Sequence, residues 1–385
     1  MKLKTFLFLA ILTFKITYNQ AQISNFKEKF ELPEKVKETS GLLFLDGKII
    51  THNDSGDNAN LYEIDSLSGT ILRTISIANA TNIDWEDLAE NDTHLFIADI
   101  GNNNGNRQDL KIYTILKSDF KNNNSVSAEV ISFSYEDQVS FVSQPNSSNF
   151  DAEGIVIYEN AVLIFTKNWV DLKTNVYKVP LTAGSHVASK VSTANVEGLI
   201  TGAVFNDNRF FLTGYETTLT PFLIYISYNR TPGEDIFLSG FNKISLKDEL
   251  GQGSQVEAIA NIGLTGKYYI SRENFSTTIS GIPFTFKQKL YEFYDETAPL
   301  LSTTNNELAL LSISPNPTIH KIKIKTSLPF SNIEVYNSLG EKVNVPIFLN
   351  KKEIDISSLS SGVYYLKIQL KNRSSSSIIK KVIKL

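Results

Sequence analysis

The sequence contains no cysteine in 385 residues, a single methionine, two tryptophans and four histidines. Without cysteine there is no disulfide framework and no thiolate to act as nucleophile or metal ligand. A chain of this length builds a core large enough to do without bridges. The histidines (His52, His94, His186 and His320) never fall at the i, i+4 spacing of a helical zinc motif. Helix signals are scarce, since no window of about 11 residues keeps a 3.6-residue apolar period between caps. No G-x-S-x-G elbow occurs, which removes support for an α/β-hydrolase serine. The run GNNNGN at 101–106 is not followed by Lys-Ser/Thr, so it does not read as a phosphate loop. The loop NDSGDNAN at 53–60 lacks the length and closing acid of an EF-hand.

Long apolar runs are missing as well. The start, MKLKTFLFLAILTFKITYNQAQ, has two lysines and then an apolar stretch from Phe6 to Phe14. That stretch is too short for a bilayer and predicts a secretory signal peptide over residues 1–21, cut near Ala21. No other segment approaches about 18 apolar residues, so no transmembrane span is expected.

The chain is nonetheless apolar enough to fold: hydrophobic residues make up 42% and charged residues 20%. Its charge is unevenly spread. Residues 312–385 carry twelve Lys and Arg against four acids, and residues 1–21 carry three Lys. With −4 overall, the segment 22–311 holds −15. So acidic a body disfavours nucleic acid, whose phosphates are bound by Lys and Arg, and suits cations or cationic ligands.

Five similar units run between Lys37 and Tyr294. Each has an acidic start, a short strand with small residues, a strongly apolar strand, a polar corner and a strand carrying Tyr. They begin at KETSGLLF, DWEDLA, DAEGIVIY, NVEGLIT and QVEAIANI. Units of roughly 40–50 residues with about four short strands predict propeller blades. The fold class read from the sequence is therefore all-β: a β-propeller over 24–296 with five blades, six being the alternative. A linker over 297–311 and a small C-terminal β-sandwich over 312–385 follow. The segment NFKEKFEL near the start is expected to supply the outer strand of the last blade and close the ring. VISFSYED, in the longest gap between units, reads as an outer strand followed by a long loop.

In an antiparallel hairpin the start of the first strand lies beside the end of the second. Repeated in each blade, this predicts two rings around one mouth of the central channel. The inner ring is Glu38, Glu86, Glu153, Glu197 and Glu257, expected to hold a metal. The outer positions, expected to bind a ligand, are His52, Asp54, Asp99, Arg107, Lys167, Glu216, Arg272 and Glu273. His52 is a candidate general base beside Asp54. Carboxylates crowded in a partly dry funnel repel one another, and a hard cation such as Ca²⁺, taking six to eight oxygens, would relieve them. Three readings stay open at this point: acids that merely pin loops, a cation or ligand site, and a catalytic site. Trp85 and Trp169 fall near the rims, where packing between blades is the commoner use of the ring and stacking on a ligand the other.

Two resemblances add to this reading. SPNP at 314–317, IEVYNSLGEKV at 333–343, IDISSLSSGVYYLKI at 354–368 and the closing KKVIKL together resemble the type A C-terminal sorting domain of type IX secretion cargo. That resemblance implies export across the outer membrane, a partnership with the type IX machinery, and release or anchoring at the surface. SGLLF, HNDSGDNANLYEID and the D-x-E-G of 151–154 make the body similar to SdiA-regulated propellers. More distantly, the body is similar to the gluconolactonase and senescence-marker-protein group. In the lactonase group a Glu at a blade start ligates a divalent metal, and Glu38, Glu153 and Glu197 are the positions most alike here. The E-G-P form of that group is missing. The expected function is a secreted or surface propeller that binds Ca²⁺ or another divalent cation, or a small ligand, in an acidic funnel. The alternatives are a metal-dependent lactonase or phosphoesterase, and a protein-interaction scaffold with no chemical site.

Overall fold

The structure is a computed structural model that describes residues 23–228, 235–263, 266–279, 282–296, 311–326, 330–338, 341–370 and 377–385. The expected signal peptide and the linker up to residue 310 lie outside the described residues. The chain divides into two compact units: residues 1–89 with 95–298, and residues 90–94 with 299–385.

In the first unit the strands run in chain order. The opening strand is β1 (Ile23–Glu31). Next come β2 (Thr39–Leu45), β3 (Lys48–Asn53), β4 (Asn60–Asp65) and β5 (Ile71–Ile77). A second set is β6 (Trp85–Glu90), β7 (His94–Asp99), β8 (Lys111–Leu116), the short helix α1 (Lys117–Asn122), β9 (Ser125–Val126) and β10 (Glu129–Tyr135). A third is β11 (Ala152–Tyr158), β12 (Ala161–Thr166), β13 (Lys173–Pro180) and β14 (Gly184–Asn195). A fourth is β15 (Leu199–Asn206), β16 (Arg209–Tyr215), β17 (Pro221–Ser227), β18 (Asn242–Ser245) and the turn of helix α2 (Lys247–Leu250). The last is β19 (Val256–Asn261), β20 (Lys267–Arg272), the hairpin β21 (Phe275–Ile279) and β22 (Ile282–Phe286), and β23 (Lys289–Asp295).

Hydrogen bonding orders these strands as five blades: β2-β3-β4-β5, β6-β7-β8-β10, β11-β12-β13-β14, β15-β16-β17-β18 and β19-β20-β23-β1. The first strand of the body thus completes the last blade, antiparallel to β23, as the sequence predicts. The segment VISFSYED is the outer strand β10, and the long stretch after it forms no blade of its own. Two joins depart from a plain ring of separate blades: the short β9 pairs in parallel with β5 at the edge of the first blade, and β10 and β14 pair in parallel, welding the outer edges of the second and third blades.

The burial pattern follows from this layout. Inner and second strands lie between neighbouring blades and are covered on both faces, so β12 and β16 are buried at every residue. Outer strands show period-2 alternation, as in β14. Each gap between blades holds its own apolar cluster. Leu61, Trp85 and Tyr113 fill the first, and Phe96, Ile155 and Ile164 the second. Phe165, Phe210 and Ile224 fill the third, and Phe211, Leu223 and Tyr268 the fourth. Leu42, Tyr62, Tyr269 and Leu290 fill the gap that closes the ring. Trp85 is fully buried, so its role is packing between blades.

The second unit is a β-sandwich. Its strands are β24 (Leu311–Ser314), β25 (Lys321–Thr326), β26 (Phe330–Asn337), β27 (Lys342–Val343), β28 (Ile347–Phe348), β29 (Glu353–Asp355), β30 (Gly362–Leu370) and β31 (Ser377–Lys384). They form two four-stranded sheets, β24-β25-β29-β28 and β27-β26-β30-β31, around one core that includes Ile322, Ile333, Ile354 and Leu366. Among the described residues no helix is long and apolar enough to cross a membrane.

Candidate functional site at the propeller mouth

Four blades begin with the same backbone bond. The N–H of Asp54 donates to the carbonyl of Glu38 at 2.9 Å, Gly101 to Asp84 at 3.1 Å, Lys167 to Asp151 at 2.9 Å and Glu273 to Gln255 at 3.3 Å. These bonds put Glu38, Asp84, Asp151 and Gln255 at one equivalent position. Asp54, Gly101, Lys167 and Glu273 share another. Just beyond, a bulge interrupts the register at Thr39/Leu42, Ala152/Gly154, Ile200/Gly202 and Val256/Ala258. A bulge re-aims a side chain. The residues so placed are Ser40, Glu153, Thr201 and Glu257, with Glu86 at the same offset from Asp84.

The next position lies on the axis, where inner strands nearly touch. A Cβ on Gly41 would come within 2.7 Å of the Leu88 nitrogen, and one on Gly202 within 2.5 Å of the Glu257 carbonyl oxygen. Glycine is needed there for space rather than for turn geometry. In the second blade this slot holds Asp87 instead. Its fully buried carboxyl accepts hydrogen bonds from Leu88 N at 2.8 Å, Ile155 N at 2.9 Å and Ala203 N at 3.3 Å, tying together the inner strands of three blades.

Beside this plug the carboxylates gather. One oxygen each from Asp54, Asp84 and Glu86 lies within 4.8 Å of the others. The N–H of Trp85 donates to the Asp54 carbonyl at 3.2 Å, which holds the end of β3 against the start of β6. Gly101 makes room: a Cβ there would run into Glu86 Oε1 and Asp84 Oδ2. Glu86 Oε1 and Asp54 Oδ1 are buried and receive no hydrogen bond among the described residues. Burial, then the neighbouring acids, hold the carboxyls of Asp54, Glu86 and Glu257 well above the usual range. Glu153 and Glu273 are pushed up to about 7, again chiefly by burial and against the pull of Lys167. Lys167 is the cation here, with Nζ 2.7 Å from Glu153 Oε1. It lies 5.3 Å from the ring centre of Trp169 and 5.4 Å from that of Tyr215. Burial works against its charge, but the surrounding acids outweigh burial and keep it protonated.

The structure thus brings together Glu86, Glu153, Glu257, Asp54, Lys167 and Glu273. Other expected positions fall elsewhere. Glu38 is half exposed, 3.9 Å from Lys37, two residues before the position equivalent to Glu153. Glu197 is exposed, with φ of 52°, and lies four residues before its blade's true counterpart, Thr201. Glu216 pairs with Lys243 at 3.0 Å. His52 is not at the rim: it packs edge-on against Trp85, 5.5 Å between ring centres, with Nδ1 3.0 Å from the Asn53 carbonyl oxygen. Its burial lowers the pKa to about 4, so the ring is neutral. Asp99 and Arg107 serve each other at 2.8 Å, and Arg107 also donates to the Gly101 carbonyl at 2.7 Å, which shapes the loop beside the mouth. Arg272 donates to the carbonyls of Lys287 and Leu250 and is spent on holding loops.

Four residues of the site were not among the expected ring positions: Asp84, Asp87, Asp151 and Tyr215. Asp151 accepts from Asn102 N at 2.6 Å and from Trp169 Nε1 at 2.8 Å, so it is a pinning acid. A usable signal for Asp87 was the one acid standing in a slot that is Gly or Ala in every other blade.

Fold and site together define a five-bladed propeller with a carboxylate-lined mouth, followed by a β-sandwich unit. That sandwich matches the secretion system C-terminal sorting domain over residues 312–384. The domain marks the chain for export to the cell surface or beyond and implies interaction with the type IX machinery. No curated protein matches the chain. Solved structures with a similar course of chain include a putative oxidoreductase (glucose dehydrogenase) from Thermus thermophilus. It is 7% identical, covers 71% of this chain and 100% of its own, and has a TM-score of 0.38. An exo-β-1,3-galactanase from Phanerochaete chrysosporium is 10% identical over 94% of each chain, with a TM-score of 0.41. A DUF4623 family protein from Bacteroides eggerthii is 11% identical over 68% of this chain and 71% of its own, with a TM-score of 0.34.

Proposed function

We propose that the exported propeller is a binding protein whose mouth takes up a hard divalent cation, of the Ca²⁺ type, at Asp54, Asp84 and Glu86. The observation that carries this is the pair of buried carboxylate oxygens, Glu86 Oε1 and Asp54 Oδ1, that converge with Asp84 and receive no donor. A buried carboxylate left without a partner is costly. Asp87 and Asp151, which pin the fold, have both oxygens filled by backbone amides or an indole, and Asp99, whose Oδ2 is also without a donor among the described residues, has the Arg107 guanidinium on its other oxygen. Oxygen-only donors of this kind favour Ca²⁺, Mg²⁺ or Mn²⁺ over softer metals. Waters or a ligand's own oxygens would complete the coordination.

The test is thermal unfolding of the full chain in EDTA and in each of these cations, with stoichiometry by calorimetry. Binding at 100 times the dissociation constant stabilises by about 2.7 kcal/mol, which raises the midpoint by several degrees. Glu86→Gln and Asp84→Asn are expected to abolish the rise. Gly101→Ala is expected to do the same, because its methyl group takes the space of the two carboxylates. Gly101 is not at positive φ, so alanine there carries no backbone strain to confuse the result. An unchanged midpoint in all cations would refute this reading. Turnover by the loaded protein on a panel of lactones and phosphate esters would move it to the hydrolase alternative.

A further inference from the structure

The sandwich has two sheets and so two faces turned away from its core. The first is ordinary. On it Lys321, Lys323 and Lys325 of β25 stand exposed beside Glu353 and Asp355 of β29, and Lys321 Nζ meets Glu353 Oε1 at 2.9 Å. An antiparallel sheet packed on one side carries polar residues on its wet side. The second sheet breaks that rule. β30 turns Tyr364, Leu366 and Ile368 to the core, so Val363, Tyr365 and Lys367 face outward. The register sets Ile383 of β31 beside Val363, Lys381 beside Tyr365 and Ile379 beside Lys367. On the other side of β30, Tyr336 stands opposite Tyr365, with Lys342 next to Tyr336. This face therefore has two tyrosines abreast, a lysine at each end of their row, and Val363, Ile379 and Ile383 alongside. Ile379 is 61% exposed and Tyr365 39%. The closing strand is pinned in place. Asn316, in SPNP, donates from Nδ2 to the Lys381 carbonyl and accepts from the Ile383 N–H, both at 2.8 Å.

We propose that this outward face, centred on Tyr336, Tyr365 and Ile379, is where the chain docks on the type IX machinery, against a protein surface that is apolar in the middle and rimmed by Asp and Glu. Contiguous exposed apolar side chains mark an interaction surface, and aromatic anchors near its centre carry much of the binding energy. Charge selects the occupant. Glu334, on the same face, is already used: Lys342 Nζ meets its Oε1 at 2.6 Å, and the Tyr336 hydroxyl donates to its Oε2 at 2.9 Å. Among the described residues Lys367 and Lys381 make no ion pair. Two copies placed face to face would set these lysines against each other, which disfavours a homodimer. Carboxylates on a partner would match them and fix its register. The proposal rests on the sorting-domain match and not on the cation site, so either fails without the other.

The experiment is photo-crosslinking in cells with an active type IX system. The full-length chain carries a photoreactive residue in place of Tyr365, of Ile379 or, on the opposite sheet, of Lys323. From Tyr365 and Ile379 the chain is expected to join a protein of the machinery, identified by mass spectrometry, and from Lys323 it is not. Export is measured alongside by protease accessibility on intact cells. Tyr365→Ser/Ile379→Ser and Lys367→Glu/Lys381→Glu are each expected to lower the exported fraction roughly tenfold, as loss of a central anchor or a matched charge does to an affinity. Lys323→Glu/Lys325→Glu is expected to leave it unchanged. Each purified variant is expected to unfold within about two degrees of wild type, because these side chains lie outside the core. Export of Tyr365→Ser/Ile379→Ser at the wild-type level overturns the proposal. So do crosslinks from Lys323 as strong as those from Tyr365. Crosslinks from Tyr365 and Ile379 that reach only lipid, another copy or the chain's own propeller overturn it too, as does the absence of any. Where a variant's midpoint falls along with its export, these crosslinks decide.

Discussion

Glu153 and Glu273 fix how the cation-free protein responds to pH. Both carboxyls are raised from 4.5 to about 7 in the folded state. Between those values the folded protein holds protons that the unfolded chain has already released. Stability from these groups is therefore fully present below about pH 4.5 and is lost as pH rises through about 7. Asp54, Glu86 and Glu257, raised by burial and neighbouring acids, act in the same direction. The cation-free midpoint is expected to fall between pH 5 and pH 8, and saturating Ca²⁺ to remove most of that fall. Differential scanning calorimetry in EDTA and in Ca²⁺ across this range checks it. A cation-free midpoint that rises with pH would mean these acids are ionised and matched by partners at every pH.

At the scale of the element, ring closure depends on a strand far from its partner in sequence. β1 pairs with β23, and Phe26 stacks on Phe293 with 5.9 Å between ring centres. Lys27 and Lys29 reach the buried Glu292 at 3.0 and 3.3 Å, and Lys289 meets Glu28 at 2.7 Å. Deleting residues 23–31 bares the edge of β23 and uncovers Phe293. An open, apolar edge invites pairing between chains. The deletion is expected to lower the midpoint by roughly 6–12 degrees, on the order of 3 kcal/mol, given the lost apolar cover and ion pairs. It is also expected to produce oligomers in gel filtration, and a monomer of unchanged midpoint would contradict this role. This closure was legible in the sequence because NFKEKFEL alternates as an edge strand does. The exact register of two acids was not. A period of two makes a shift of two or four residues invisible to alternation. The triplet EGL at 197–199 copies EGI at 153–155, so it drew Glu197 into the ring. The backbone instead places TGA, 201–203, where EGI lies, because only there does a glycine meet the neighbouring strand across the axis. Glu38 slipped by two for the same reason. The parallel weld of β10 to β14 left no trace in either strand's pattern.

For the whole molecule, export and binding belong to separate parts of the chain. Every residue of the mouth lies between residues 38 and 273, in the unit with five apolar clusters between its blades. The sorting domain has its own core, and its strands were readable because strict alternation such as KIKIK marks a face half in water. Its motifs are local in sequence and so survive without any knowledge of the fold, whereas the mouth is assembled from five distant loops. A chain lacking residues 312–385 is therefore expected to remain inside the cell while keeping its Ca²⁺-dependent rise in midpoint. Protease accessibility on intact cells reads the first property and thermal unfolding of the retained protein the second. Loss of both together would mean that the propeller needs the sandwich to fold. Export of the shortened chain would mean that another segment carries the address.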